Sequence, residues 1–211
     1  MGKVVRQSLG QFGKYLAMRQ EGRKVQEALD ITLRKLPPGG VLVIDFDGVE
    51  MMDYSFSDEA LGTLYSRMAA KEYPDRYLVL AVGDDEVSVG LMENVEVALN
   101  RREVAALSVP RAALEESSAT DKAAPHPFVK LAKNGDDCQV IGTLPAHLID
   151  TLRAVMGRQE ATVRDLADDL QLDSATACNN RVARLYQLHL VRREAAIVPE
   201  GGRQYCYLSV V

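Results

Sequence analysis

The apolar positions of this chain change their period along its length. Val41 to Phe46, Tyr77 to Val82 and Val104 to Val109 are almost unbroken apolar runs, the pattern of strands covered on both faces. Helical patterns separate them. Val25, Leu29, Leu33 and Leu36 make one stripe of a helix over Arg23 to Leu36, which Pro37 to Gly40 stop. Leu61, Leu64 and Met68 mark a helix from about Ser57, and Val89, Met92, Val95 and Leu99 mark one from Glu86 to Asn100. Asp84 and Asp85 fall where that last helix needs its cap. With Val4 and Val5 opening an edge strand, the alternation predicts an α/β layer: a small mixed sheet of about four strands with helices.

The pattern is different after His147. Thr162 followed by Asp165 has the form of an N-terminal capping box, and Leu166, Ala167 and Leu170 give the short helix behind it one apolar face. Gln171 to Asp173 form a tight turn with Leu172 as its buried plug, and Ser174 caps a second helix that runs to about Leu188. Cys178, Val182 and Leu185 turn toward the core, while Ala177, Asn180, Arg181 and Arg184 take another face. Val191 to Val198 and Tyr205 to Val210 then pair as strands around Pro199, Glu200, Gly201 and Gly202, whose glycines supply positive φ at the tip.

Between the two patterns, Pro110 to Phe128 is rich in Ala, Ser, Pro and charge and reads as an exposed linker. The expected organisation is one domain over residues 1–112, a linker over 113–127 and a second domain over 128–211. In the second domain a small hairpin, Phe128 to Leu131 with Cys138 to Ile141, precedes a first helix over Pro145 to Met156 closed by Gly157.

Charge sharpens the second half. From Glu160 to Asp173 there are five acids against Arg164 alone, whereas Ser174 to Arg193 carries Arg181, Arg184, Arg192 and Arg193 and no acid. Two adjacent Asn in mid-helix are poor for helix stability. Their chemistry explains them, since Asn bonds adenine N6 and N7 and Arg bonds guanine O6 and N7. Asn179, Asn180, Arg181 and Arg184, with Thr176 on the same helix, are therefore candidate DNA contacts. Arg192, Arg193 and Arg203, at and beside the strand pair, are candidates for phosphate or minor-groove contact.

The whole chain has 211 residues and a formal net charge of -5, which argues against a protein that coats nucleic acid indiscriminately. No apolar run reaches the length of a membrane span and the N-terminus lacks the core of a signal peptide, so a cytoplasmic protein without a membrane partner is expected. Cys138, Cys178 and Cys206 are widely spaced with no His at ligand spacing. Neither a disulfide framework nor a metal site is indicated, and no cofactor is expected.

The segments "TVRDLADDLQLDSATACNNRVARLYQLHLVRRE" and "EGGRQYCYL" resemble the winged helix-turn-helix superfamily, which implies a C-terminal α+β winged helix domain that grips double-stranded DNA. Winged helices also dock proteins, and the near-neutral charge from His147 to Val211 keeps that alternative open. The segment "VLVIDFDGVEMMDYSFSDEALGTLYSRM" resembles the STAS-like family, related to the domain of sulfate transporters and anti-sigma factor antagonists, which implies an α/β N-terminal STAS-like domain. In the antagonists a Ser after an Asp, at a helix N-terminus, is phosphorylated by a partner kinase; here Tyr54 follows Asp53, and the hydroxyls stand at Ser55 and Ser57. The resemblance makes Asp53, Tyr54, Ser55 and Ser57 candidates for a partner-docking or switch surface, against a plain helix cap by Ser55 or Ser57. "VLVIDFDGV" with "LAVGDDEVSVGLMENVEVAL" also looks like haloacid-dehalogenase phosphatases, which would make Asp45 a nucleophile. Only Gly48 to Ala81 lies between those motifs, too little for the motifs such an enzyme needs.

These readings converge on a non-enzymatic, sequence-specific DNA-binding transcriptional regulator, a homodimer whose STAS-like domain serves dimerisation, sensing or docking. Dimerisation would set two reading helices on half-sites about one DNA turn apart. The alternative is a protein-interaction switch that pairs with an ATPase or kinase partner.

Overall fold

The computed structural model describes residues 3–114, 138–158, 160–197 and 203–211. Its N-terminal half is built on a five-stranded sheet in the order β1 (Val4–Ser8), β3 (Gly40–Asp45), β5 (Arg76–Val82), β6 (Ala105–Pro110), β7 (Gln139–Gly142). The first four run parallel and β7 is antiparallel to β6, so the sheet is mixed as expected but has a fifth strand. Every residue of β3 is buried, which is why it reads as an apolar run up to its last residue, Asp45. The helices between strands are α1 (Arg19–Lys35), α2 (Tyr54–Ser57), α3 (Thr63–Ala69) and α4 (Glu86–Arg101). A two-stranded parallel ribbon, β2 (Tyr15–Leu16) with β4 (Met51–Met52), stands beside them.

β7 differs from expectation. Cys138 to Ile141, expected in the second domain as half of a hairpin with Phe128 to Leu131, instead lies on the N-terminal sheet, which Gln139–Gly142 extends with Ala106 opposite Ile141 and Leu107 opposite Val140. Phe128 to Leu131, like most of the expected linker, lies outside the described residues. A short strand such as this fits any free sheet edge, and β6, buried from Ala105 to Val109, offered one.

α1 starts four residues before the expected Arg23. Its added first turn is held by ion pairs of Arg19 across to the next helical segment, to Asp58 and Glu59 at 3.1 and 2.8 Å, and Arg23 adds one to Glu59 at 3.2 Å. α2 likewise starts before Ser57, because Asp53 caps it by accepting from the Phe56 amide at 2.7 Å.

Between α2 and α3 the helix widens into a π turn, Asp58–Gly62. Its first residue, Asp58, is buried and accepts from Arg102 Nε at 2.6 Å. Gly62 makes room for that arginine, since a Cβ there would lie 2.8 Å from Arg102 Nε. Burial pushes the Asp58 carboxyl up, but Arg102 and Arg19 more than offset it and hold it below the usual carboxylate range. Its stabilisation is therefore present above the unfolded-state value, about 3.9, and is lost as pH falls through the lower folded value. Denaturant midpoints measured from pH 6 to pH 2.5 should fall with acid, and the fall should be shallower in Asp58→Asn.

Among the described residues, the C-terminal half has three helices, α5 (Ala146–Met156), α6 (Val163–Asp169) and α7 (Ala175–Gln187), and a three-stranded antiparallel sheet. In that sheet β10 (Arg203–Ser209) lies between β8 (Ala161–Thr162) and β9 (Val191–Ile197). The Thr162–Asp165 capping box forms in both directions, and Ser174 accepts from the Ala177 amide, as the sequence predicts. The residues of the expected loop tip, 198–202, lie outside the described ones. Buried side chains of both halves form one continuous apolar cluster. Among the described residues no helix is long and apolar enough to cross a membrane.

Candidate nucleic-acid interface

α7 presents two opposite faces. Cys178, Val182 and Leu185 are fully buried, while Thr176, Asn179, Asn180, Ala183 and Arg184 are exposed and Arg181 sits half-buried on the flank. The helical period thus brings the predicted polar residues Thr176, Asn180 and Arg184 together at i, i+4 and i+8. No acid lies on α7, whereas α6 in front of it carries Asp165, Asp168 and Asp169. Asp169 is neutralised by Arg158 through bonds of 2.6 and 2.7 Å.

The strand-borne arginines are more constrained. Arg193 is stacked between the rings of Tyr186 and Tyr205, 4.2 Å from each centroid. Arg192 pairs with Glu194 at 2.9 Å. Arg203 opens β10 opposite Ile197, and its side chain lies outside the described residues. Burial pushes the Cys138 and Cys206 thiols up, to about 12 and about 11, away from the low values of reactive cysteines.

The end of α7 meets the N-terminal half, which the sequence reading missed. Tyr186 donates its hydroxyl to Asp75 Oδ1 at 2.7 Å, and Gln187 Nε2 donates to the Ala69 carbonyl at 3.4 Å. His189, buried at φ 58 just past the helix, sets its ring nitrogens 2.7 Å from the Arg76 carbonyl oxygen and 2.9 Å from that of Met68. Its ring also meets Tyr77 edge-on. Burial of the imidazole lowers its pKa, with the two carbonyls and Asp75 pulling the other way. The only sequence signal for this seat was a histidine beside two leucines at a helix end.

The second candidate group, Asp53 to Ser57, is held mainly by structural bonds. Asp53 caps α2 and accepts from the Met18 amide at 3.0 Å, and Tyr54 carries Arg101 4.7 Å from its ring centroid. Ser57 is fully buried and donates to the Asp53 carbonyl at 2.9 Å, so it belongs to no surface. Neither it nor Ser55 is the helix cap. Exposed nearby are Tyr15 and Met51, paired across the β2–β4 ribbon, and Met18 beside Asp53, interleaved with the Lys14–Glu50 ion pair, whose carboxylate also accepts from the Tyr15 hydroxyl. The next pair in register, Leu16 and Met52, is buried, as a period of two requires.

Asp45, the nucleophile of the phosphatase resemblance, ends β3 almost fully buried. Both its oxygens are occupied: Arg6 bonds Oδ2 from Nε at 2.8 Å and from Nη2 at 2.5 Å, and Arg111 Nε (3.0 Å) and the Asp47 amide (3.0 Å) bond Oδ1. A carboxylate so engaged is poorly placed to attack phosphorus. Asp85 caps α4 by accepting from the Ser88 amide.

No protein-family model matches the chain, and no curated protein does. Among solved structures, the Aeropyrum pernix ORC1 protein in complex with DNA aligns over 99% of this chain and 74% of that one, at 9% identity and a TM-score of 0.28. A likeness that low carries no argument about fold or function.

Proposed function

We propose that the chain is a sequence-specific DNA-binding regulator, in which residues from about Ala146 onward act as a winged helix-turn-helix and the N-terminal half as a STAS-like docking or sensing domain. One observation carries the reading: the outward face of α7 exposes Thr176, Asn179, Asn180 and Arg184 together and bears no acid, while its inward face is fully buried. Asn and Arg side chains read base edges bidentately, and in helix-turn-helix proteins the second helix lies in the major groove and reads bases from its N-terminal residues. Arg193 and Arg203, on the two strands of the hairpin, suit contact with the phosphates alongside. In a homodimer two such helices would address half-sites about one turn apart.

The exposed Tyr15, Met18 and Met51 favour a second role for the N-terminal half, binding a protein partner through a small apolar patch. Docking at that patch is compatible with DNA binding at the other end of the chain.

The test is a titration of the whole protein with labelled duplex from its own upstream region and with a scrambled duplex, at 50 and 200 mM salt. Preference for the native duplex, with affinity that falls by at least about tenfold between the two salts, is the expected result. Binding to neither duplex would sink the reading.

A further inference from the structure

The turn that joins α3 to β5 is fastened to the end of α7 whose outward face would enter the groove. Gln187 lies on that face, eleven residues beyond Thr176 and three beyond Arg184, yet its amide donates to the Ala69 carbonyl. Backbone of the N-terminal half therefore stands in front of the last turn of α7. A major groove about 12 Å wide needs that face clear along the inserted length. The first turns, with Thr176, Asn179 and Asn180 exposed, are open; in the last, Arg184 is still exposed but Gln187 is half-buried under the turn.

Two of the candidate DNA arginines are tied to the same turn at one remove. Arg184 Nη1 donates to Gln187 Oε1 at 3.2 Å, and the same Gln187 amide holds Ala69. Arg193 is stacked on Tyr186, whose hydroxyl donates to Asp75. These two tethers are distinct from what joins the halves. His189, which holds the two ends of the turn at the Met68 and Arg76 carbonyls, and the continuous apolar cluster do that, so the residues between those ends, Ala69 to Asp75, can let go of Gln187 and Tyr186 without the halves separating.

Resting on the DNA-binding reading above, we propose that the Ala69–Arg76 turn is an autoinhibitory contact: it covers the C-terminal end of the reading face of α7 and restrains Arg184 and Arg193 until it is released. A closed state ten times as populated as the open one weakens the apparent DNA affinity about tenfold. By linkage, DNA opens the turn as much as opening the turn favours DNA.

The test uses the full chain with Tyr186→Phe, which removes only the hydroxyl, and Asp75→Gly, which removes the acceptor and suits the backbone at φ 56. Asp75→Asn, which keeps an acceptor and removes the charge, is the control. Affinity for the upstream duplex is measured for all four proteins, together with hydrogen exchange at residues 69–77 with and without DNA. Tyr186→Phe and Asp75→Gly should each bind about three- to tenfold tighter, Asp75→Asn less than twofold, and DNA should speed exchange in the turn of the wild type. Unchanged or weaker binding in Tyr186→Phe and Asp75→Gly overturns the proposal. An Asp75→Asn gain equal to that of Asp75→Gly also overturns it, since charge alone would then explain the effect. If no protein binds DNA while the variants still exchange faster in the turn, the DNA-binding reading itself has failed and the inhibitory role falls with it.

Discussion

Replacing Arg181 and Arg184 together by Ala should lower affinity for the preferred duplex by about a hundredfold or more and leave the melting temperature within about 2 °C of the wild type. The first half of that expectation follows from base recognition: a bidentate arginine–guanine contact is worth about 1–3 kcal/mol, and each 1.4 kcal/mol is tenfold. The second half follows from position. Arg184 is exposed and Arg181 half-buried on the flank of α7, whose core contacts are made by Cys178, Val182 and Leu185. Substitutions at such sites usually change stability by no more than about 0.5 kcal/mol. Titrations against a panel of single-base variants distinguish the roles. If the arginines read bases, discrimination collapses at two positions; if they touch only phosphates, affinity falls evenly across the panel and the salt slope drops by about one per lost contact. Undiminished affinity in the double variant would remove α7 as the reading helix.

Asp45→Ala should cost about 2–3 kcal/mol in stability, a loss of about 5–10 °C in melting temperature for a chain of this size. The carboxylate is 1% exposed and neutralises Arg6 and Arg111, whose side chains are 43% and 21% exposed. Removing one partner of a fully buried pair costs about 3–5 kcal/mol, and the partial solvation of both arginines reduces that figure. Asp45→Asn, which keeps an oxygen for one arginine or for the Asp47 amide, should lose about half as much. Thermal and denaturant unfolding measure both. The result separates two uses of the residue: a catalytic carboxylate is held at some expense to stability, so its replacement leaves stability unchanged or raised. A stabilised Asp45→Ala would therefore return the phosphatase reading to contention.

Much of the fold is legible along the chain because each element carries its own local signal. Val41 to Ile44 and Tyr77 to Val82 are unbroken apolar runs since both faces of the sheet are covered, and α4 shows its stripe of Met92, Val95 and Leu99 because only one of its sides meets the core. Caps are equally local. Thr162 with Asp165, Ser174 and Asp85 each stop or start a helix by bonding amides three residues away, so their spacing is visible without the fold. The polar face of α7 was legible for the same reason, a period of 3.6 residues.

Elements fixed by distant partners were not. Gly22 lies in the first turns of α1 because a bare Cα is needed there: a Cβ would come within 2.9 Å of the Phe56 carbonyl oxygen. The sequence shows only a glycine after a glutamate, and the expected start at Arg23 missed that turn.

The sequence by itself determined the central strands β3, β5 and β6, the longer helices, their order, and which side of α7 faces inward, because hydrophobic period and capping are settled within a few residues. Only the tertiary structure decided that Gln139–Gly142 joins the N-terminal sheet, that Asp45 is locked between Arg6 and Arg111, and that Tyr186, Gln187 and His189 seat the end of α7 on the Ala69–Arg76 turn. In each case a single polar side chain or a four-residue strand has many partners compatible with its own chemistry. Which one it meets, tens of residues away in sequence, is chosen by the packing of everything between them.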